Sequence, residues 1–256
     1  MAVRFGISYN IIGEGFPIIF VHGIGSRKYT WSNVIKKLKN QYQCISYDLR
    51  GHGDSNPDNS NFTLLDLVAD LESLRSHLNM KKIHIVGHSL GGMIGPAYAR
   101  KFPDKVYSVS LLSTAAFRTK EDQKKVLQII ENIKDKGIKN ILPNLISRWF
   151  TDEFIINNPH IIDKRMKQVY ETDIKTFLNV FKIYALTEMS PWLNELKMPC
   201  LVLTGENDIG CNQDMNKKIA KAIPNAKLEI LKKLKHTITI EAGDIVGDKI
   251  NRFLSN

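Results

Sequence analysis

The run Ile83-His84-Ile85-Val86-Gly87-His88-Ser89-Leu90-Gly91-Gly92 constrains this chain more than any other stretch of it. A short apolar segment of strand character leads straight into a G-x-S-x-G turn, and a helical pattern running to about Phe102 follows at once. A serine on so tight a strand-to-helix turn projects its hydroxyl above the edge of a sheet. The residues two before and two after it must be small, because side chains there would clash. Gly87 and Gly91 meet that requirement. The bare five-residue pattern also arises by chance; the strand before it and the helix after it are what make it informative. Pro96, inside that helix, costs about 3 kcal/mol unless the helix kinks there, and no functional reason for it is visible.

Along the rest of the chain, short β-type runs alternate with helical patterns, the mark of an α/β fold with a mainly parallel sheet covered by helices on both faces. Residues 3 to 9 and 10 to 13 read as an opening hairpin. Further strands are expected at 17 to 21, 43 to 47, 83 to 86, 106 to 112, 200 to 204 and 226 to 231, several of them nearly continuous apolar runs. Thr63 and Asp66 make a capping-box start for a helix whose Leu64, Leu67, Val68, Leu71, Leu74 and Leu78 keep helical spacing. Between residues 116 and 191 the alternation stops, and helices are expected at 121 to 136, 138 to 150, 160 to 172 and 173 to 189, punctuated by Gly137, Pro143, Pro159 and Pro191. The reading is therefore one interrupted domain, with residues 1–115 and 192–256 as the core and 116–191 as an inserted helical cap.

The 256 residues suffice to bury a core without disulfides. Three cysteines, Cys44, Cys200 and Cys211, are an odd number with no C-x-x-C spacing, which suggests neither a disulfide framework nor a zinc ribbon. With no span-length apolar run and no leader pattern at the start, the expectation is a cytoplasmic protein without membrane insertion. The balance of 36 basic against 26 acidic residues raises nucleic acid as a partner. The lysines nevertheless fall in small groups with no interleaved stacking aromatics, so a solvated basic surface that attracts small anions is the reading adopted.

A serine hydroxyl needs a base to take its proton. Of the seven histidines only His160 and His236 lie downstream of Ser89. His160 belongs to the cap region, whereas His236 follows the last expected strand at the sheet edge where the serine also emerges. His236 is thus the expected base. Asp208, in the loop after the strand 200 to 204, is the expected acid that orients it, with Glu206 the second choice. The chain order Ser89, Asp208, His236 is the one such hydrolases use. Backbone N–H groups of Leu90 and of Ile24, in the turn His22-Gly23-Ile24-Gly25, are the expected donors to an oxyanion. His22 is expected to fix that turn. In Asp48-Leu49-Arg50-Gly51-His52-Gly53-Asp54-Ser55, an Asp48–Arg50 contact is expected to hold a structural loop, and His52 and Ser55 are excluded as a catalytic pair.

Taken in order, His22 to Gly25, Asp48 to Ser55, Gly87 to Gly92, Gly205 to Asp208 and His236 make the chain resemble a capped member of the α/β-hydrolase fold family over essentially its whole length. Within that family, Arg148-Trp149-Phe150-Thr151-Asp152-Glu153-Phe154 and the run from Pro191 to Leu203 resemble the 3-oxoadipate enol-lactonases. These open a small unsaturated lactone that carries a carboxylate. The resemblance implies Arg148 or Trp149 as a substrate contact, with cap-to-core packing as the alternative for Trp149 and Phe150. Lys235 stands before the base where many relatives have glycine, and it is expected either to lower the histidine's proton affinity or to alter its loop.

The expectation is a serine hydrolase that cleaves a small carboxylic ester or lactone through an acyl-enzyme, with no metal and no organic cofactor. Carbon–carbon bond hydrolysis and perhydrolysis use similar positions, and the fold also serves ligand-binding proteins without catalysis. The expected partner is a small molecule, not nucleic acid or membrane. The sequence does not fix the oligomeric state.

Overall fold

Strands apolar on both faces must be covered on both, and the computed structural model, which describes residues 6–255 and the backbone of 2–4, stacks them at its centre. β1 (Ala2–Arg4) and β2 (Ile7–Ile12) form an antiparallel hairpin. Its turn falls at Gly6 (φ +80), not between residues 9 and 10 as expected, because Gly6 supplies the left-handed backbone the reversal needs. β3 (Phe16–Val21), α1 (Ser32–Leu38), β4 (Tyr42–Tyr47), α2 (Leu64–His77), β5 (Ile83–His88), α3 (Gly91–Lys101) and β6 (Val106–Leu112) then alternate as the sequence indicates.

Five helices follow before the next strand: α4 (Lys120–Lys136), α5 (Ile138–Trp149), α6 (Asp152–Asn157), α7 (Pro159–Tyr170) and α8 (Ile174–Leu186). The chain closes with β7 (Cys200–Gly205), α9 (Gln213–Ala222), β8 (Ala226–Leu231), α10 (Ile238–Glu241) and α11 (Gly243–Leu254). The eight strands lie in the order β1-β2-β4-β3-β5-β6-β7-β8. β2 runs antiparallel to β4, and every pairing from β4 to β8 is parallel.

Alternation along one strand shows how the two layers are held. Ile18 and Phe20 of β3 join Val34, Ile35, Leu38, Val246 and Ile250 from α1 and α11. Ile19 and Val21 turn to the other face, with Leu67, Val68 and Leu71 of α2 and Met93 and Ile94 of α3. Each such side chain removed from water contributes about 1.5–3 kcal/mol, so period-two alternation in one hexapeptide ties four helices to the sheet.

The helices between β6 and β7 depart in detail from the sequence expectation. α6 was not foreseen, since six residues are too few to show a periodic stripe; Thr151, whose hydroxyl accepts from the Phe154 N–H, was its legible start signal. The expected helices at 160 to 172 and 173 to 189 end earlier, as α7 and α8, separated where Asp173 accepts from the Thr176 N–H and caps α8. α4 packs against α5 and α8, and α5 against α7. No described helix is long and apolar enough to cross a membrane. The three cysteines are unpaired and buried.

Candidate active site

Ser89 sits between β5 and α3 with φ +56, a left-handed conformation that costs a non-glycine residue of order 1 kcal/mol or more. The turn is fixed from both sides. The Ser89 N–H donates to the Leu112 carbonyl at 2.8 Å, and the Thr114 hydroxyl donates to the Ser89 carbonyl at 3.1 Å. The glycine requirement is geometric: a Cβ on Gly87 would lie 2.0 Å from the Gly91 carbonyl oxygen, and one on Gly91 would lie 2.0 Å from that of Val21.

His236 and Asp208 meet as expected. The His236 Nδ1–H donates to Asp208 Oδ2 at 2.7 Å, while Oδ1 accepts from the Gly210 and Cys211 N–H groups at 2.9 and 2.8 Å. Burial by itself would raise the Asp208 carboxyl, yet the facing His236 charge and these hydrogen bonds hold it below the ordinary range. For His236 burial works downward, but the Asp208 charge and hydrogen bond, with help from the Cys211 side chain, hold it above the ordinary imidazole value. Ser89, His236 and Asp208 line one cavity. Among the described residues the Ser89 hydroxyl makes no hydrogen bond to the imidazole; catalytic hydrogen bonds of unliganded sites are commonly loose and tighten on binding. Glu206, the second-choice acid, instead accepts from the Lys233 N–H and shapes the loop beside it.

Asp208, Cys211 and His236 also present ligand atoms within 4.8 Å of one another. Zinc–nitrogen and zinc–oxygen bonds of about 2.0–2.2 Å at a tetrahedral angle would set N and O about 3.4 Å apart. The observed 2.7 Å contact is that of a direct proton-sharing pair.

The loop carrying Ile24 packs on the serine, with the Cβ position of Gly23 only 3.0 Å from Ser89 Cβ. His22 fixes this turn, as expected. Its Nε2 accepts from the Leu49 N–H at 3.0 Å, which leaves the proton on Nδ1, facing the Gly23 carbonyl at 2.8 Å. Burial, then the neighbouring His52, keep His22 neutral, well below its ordinary pKa. His52 accepts from the Gly25 N–H at 3.1 Å, and Ser55 donates to the Asp48 carbonyl at 2.6 Å; neither faces the reaction. The expected Asp48–Arg50 contact is replaced by two others. Asp48 pairs with buried Lys28 at 2.6 Å and Arg50 with Asp70 at 2.6 Å, because Lys28 is inside the core while Arg50 points to the α2 side.

Residues of α4, α5, α7 and α8 line the cavity, and α5 grips the base loop. The Trp149 carbonyl accepts from the His236 and Thr237 N–H groups, each at 3.0 Å, and from the Thr237 hydroxyl at 2.9 Å. Arg148 and Trp149 both line the cavity, as do the apolar Val126, Ile129, Leu145 and Phe181. The Trp149 ring stacks against the Arg165 guanidinium at 5.1 Å, so it serves packing at least as much as contact with a ligand. Lys235, expected to act on the histidine's proton affinity or on its loop, ties that loop to α5 and α6. Its ammonium donates to the Ser147 carbonyl at 2.8 Å and pairs with Asp152 at 2.9 Å.

Three side chains of the site lie outside the sequence expectation. His88 donates from Nε2 to the His236 carbonyl at 2.9 Å; burial, then the neighbouring His236, lower it to about 3, so it stays a neutral strut for the base loop. Cys211 meets the Tyr184 hydroxyl at 3.2 Å beside the acid. Arg165 lines the cavity while buried. His88 adjoins the serine in sequence and could have been suspected; nothing in the sequence singles out the other two.

A family model described as the alpha/beta hydrolase fold matches residues 17–154. A curated 3-oxoadipate enol-lactonase of Acinetobacter baylyi is 28% identical over 195 residues, 75% of this chain and 71% of that protein. The (E)-2-((N-methylformamido)methylene)succinate hydrolase of the same organism is 25% identical over 246 residues, 94% of this chain and 91% of that protein. Among solved structures, the enol-lactonase from Burkholderia xenovorans LB400 has the same fold, with a TM-score of 0.91 at 23% identity, covering 98% of this chain and 96% of that one.

Proposed function

Since the chain belongs to the α/β-hydrolase fold family, we propose that it is a serine hydrolase acting on a small lactone or carboxylic ester that carries a carboxylate. One observation carries the reading: Ser89, forced into a left-handed turn, shares a cavity with an imidazole already held by a buried carboxylate at 2.7 Å. Residues 116–191 serve as the cap over a core of 1–115 and 192–256.

Ser89 Oγ attacks the carbonyl carbon while its proton passes to His236 Nε2, and Asp208 stabilises the imidazolium that results. The carbonyl oxygen, now an oxyanion, accepts from the Ile24 and Leu90 N–H groups, neither of which donates to a protein acceptor among the described residues. Collapse breaks the bond to the leaving oxygen, which takes the proton from His236; in a lactone that oxygen stays attached to the acyl chain. Water then gives a proton to His236 and its oxygen to the acyl carbon, and Ser89 recovers its hydrogen.

Charge on the cavity wall supports the carboxylated substrate. Asp208 is spent on His236, and Arg165 on the Ile24 and Gly25 carbonyls, whereas Arg148 brings a cation with no ion-paired partner among the described residues. The A. baylyi relatives, an enol-lactonase and a succinate-derivative hydrolase by name, point the same way.

The test is labelling with a fluorophosphonate, mapped by mass spectrometry, followed by turnover of carboxylated lactones against neutral short-chain esters. Modification at Ser89, its loss in Ser89→Ala, and preference for the carboxylated compounds are expected. An unlabelled Ser89 with no ester or lactone turnover would favour a ligand-binding role. Turnover confined to vinylogous diketones would move the protein to the carbon–carbon bond hydrolases.

A further inference from the structure

The two histidines beside Ser89 each have one ring nitrogen committed to the protein and one left over. His236 gives its Nδ1–H to Asp208 at 2.7 Å, which leaves Nε2 as its free nitrogen. His88 meets the His236 carbonyl through Nε2 at 2.9 Å. A carbonyl can only accept, so the proton of His88 sits on Nε2 and its Nδ1 carries a bare lone pair. Among the described residues no group donates to that lone pair. His88 is 7% exposed, and burial, then the neighbouring His236, lower its pKa to about 3. At neutral pH its Nδ1 is therefore a fixed acceptor and not a base.

That acceptor faces the reaction. A Cβ built on Gly23 would lie 3.4 Å from His88 Nδ1 and 3.0 Å from Ser89 Cβ, so acceptor and nucleophile meet across one glycine. The His88 and His236 rings are 4.9 Å apart between centroids, tilted by 51°, and both line the cavity that Ser89 lines. A water molecule that donates to two nitrogens at about 2.8 Å each needs those acceptors about 4.5 Å apart. Rings at the observed spacing span that separation. A buried acceptor without a donor is costly, and one set in a reaction cavity points to a molecule that brings the donor with it. Carboxylates and oxyanions do not qualify, since the lone pair repels them.

We propose that His88 Nδ1 holds the hydrolytic water of the second half-reaction, which presents one proton to His236 Nε2 and the other to His88. The inference rests on the serine-hydrolase reading. As the water attacks, its oxygen bonds to the acyl carbon, and the O–H bond facing His236 breaks with its proton passing to Nε2. The second O–H stays intact and leaves in the product acid; His88 accepts a hydrogen bond from it and takes no proton. Collapse breaks the bond between the acyl carbon and Ser89 Oγ, which recovers its hydrogen from His236. Two acceptors fix both the position and the rotation of the water, so that a lone pair meets the acyl carbon. An alcohol has a single hydroxyl proton, which His236 requires, and gains nothing from His88. The arrangement favours hydrolysis over acyl transfer to alcohols.

The experiment follows the acyl-enzyme's choice of nucleophile. With the best ester or lactone from the screen and added methanol, initial rates of acid and methyl ester formation are measured for wild-type, His88→Gln and His88→Asn. Their ratio depends only on the steps after acylation, whichever step limits kcat. The glutamine amide nitrogen can take the place of Nε2 and keep the bond to the His236 carbonyl, while nothing replaces Nδ1. Asparagine puts its amide oxygen near Nδ1 and gives up the strut. His88→Gln is expected to cut hydrolysis roughly 3- to 10-fold, the loss of one neutral hydrogen bond. Methanolysis should stay within about twofold, the scale of a change that no hydrogen-bond loss accompanies. His88→Asn should keep the wild-type ratio even where both rates fall.

An unchanged ratio in His88→Gln overturns the proposal and leaves His88 a strut alone. A raised KM confined to substrates with a hydroxyl or N–H would assign Nδ1 to a donor on the substrate, and overturns it too. Should the variants not fold, NMR of wild-type carrying nitrogen-labelled histidine answers the same question. An alkyl boronic acid forms a tetrahedral adduct on the serine, with one hydroxyl in the oxyanion's place and one in the water's. His88 should be protonated on Nε2, and its Nδ1 resonance should move toward the hydrogen-bonded range in the adduct; an Nδ1 that carries the proton, or does not move, overturns the water site. Fluorophosphonate labelling separates the two claims. A labelled, active wild-type with an unchanged ratio in His88→Gln overturns the water site alone, whereas an unlabelled, inactive one overturns the hydrolase reading and the water site with it.

Discussion

The two walls of the cavity are built in different ways. On the sheet side, Ser89, Gly23 and Leu90 are set by backbone: strand pairing, a left-handed turn, and glycines whose missing Cβ leaves gaps filled by neighbouring main chain. On the insert side, apart from the Trp149 carbonyl that accepts from the His236 and Thr237 N–H groups, the fixing is done by long side chains and caps that reach across, Arg165 to Ile24 and Gly25, Lys235 to Asp152, and Thr151 to Glu241. Backbone geometry is over-determined and leaves little room for change, as the proposed bond formation at Ser89 would demand. A wall held by side chains can be re-lettered residue by residue without touching the sheet. On the proposed reading, the chemistry sits where the fold is rigid and the choice of substrate where the fold is adjustable.

That contrast predicts large effects on catalysis or stability from the sheet side and small, substrate-dependent ones from the insert side. The largest is expected for Asp208→Asn, about a 10,000-fold fall in kcat with the fold retained. The pH profile gives the sign. Asp208 raises the proton affinity of His236, so the free imidazole grows only as pH climbs through that raised value, and wild-type kcat/KM should rise toward alkaline pH. In the asparagine variant the same limb should move to lower pH; a limb that stays put would mean that another group sets it.

Next comes Lys28→Met. Lys28 is fully buried against Asp48 at 2.6 Å and Asp54 at 2.7 Å, and its removal strands the buried Asp48 charge. Urea unfolding should show a loss of about 3–5 kcal/mol. The ammonium is held above its ordinary pKa: burial lowers it, and the two carboxylates more than offset that. Its contribution is therefore complete at neutral pH and is lost only as pH rises through the raised value.

Arg148→Ala, on the insert side, should raise KM for carboxylated substrates roughly three- to tenfold, a range discounted because the side chain is exposed and screened. Neutral esters should be unaffected, and an equal effect on both classes would break the contrast. The smallest effect is assigned to Lys235→Met. Its ammonium faces Ser147 and Asp152, so the pH limb of His236 should not move and stability should change by about 0.5 kcal/mol or less.

Much of the sheet side was legible in the sequence for the reason that makes it rigid. Apolar runs of strand length and the spacing of Gly87, Ser89 and Gly91 are local signals, and from β3 onward the strands lie within a residue or two of where those signals put them, while the opening hairpin turns at Gly6 instead of between residues 9 and 10. The partner of His236 was legible too, since the end of β7 is a place where a parallel sheet delivers side chains. The loop after β4 reads as structural in the sequence, but its pairing does not: Asp48 and Arg50 are near in sequence, and the buried position of Lys28 decides the contact. α6 and the partners of Lys235 escaped for a similar reason, as each depends on which surface of the insert meets the core.

From its residues alone the chain settled that a serine would stand on a strand-to-helix turn of an α/β sheet with helices inserted after β6, because pleat, helical period and steric exclusion at glycine act over a few residues. The tertiary structure decided which distant groups face one another: His88 under the His236 loop, and Arg165 and Arg27 crossing between α7 and Ile24. Those contacts join residues more than a hundred positions apart, and such pairs are chosen by how packed surfaces meet, which no local pattern encodes.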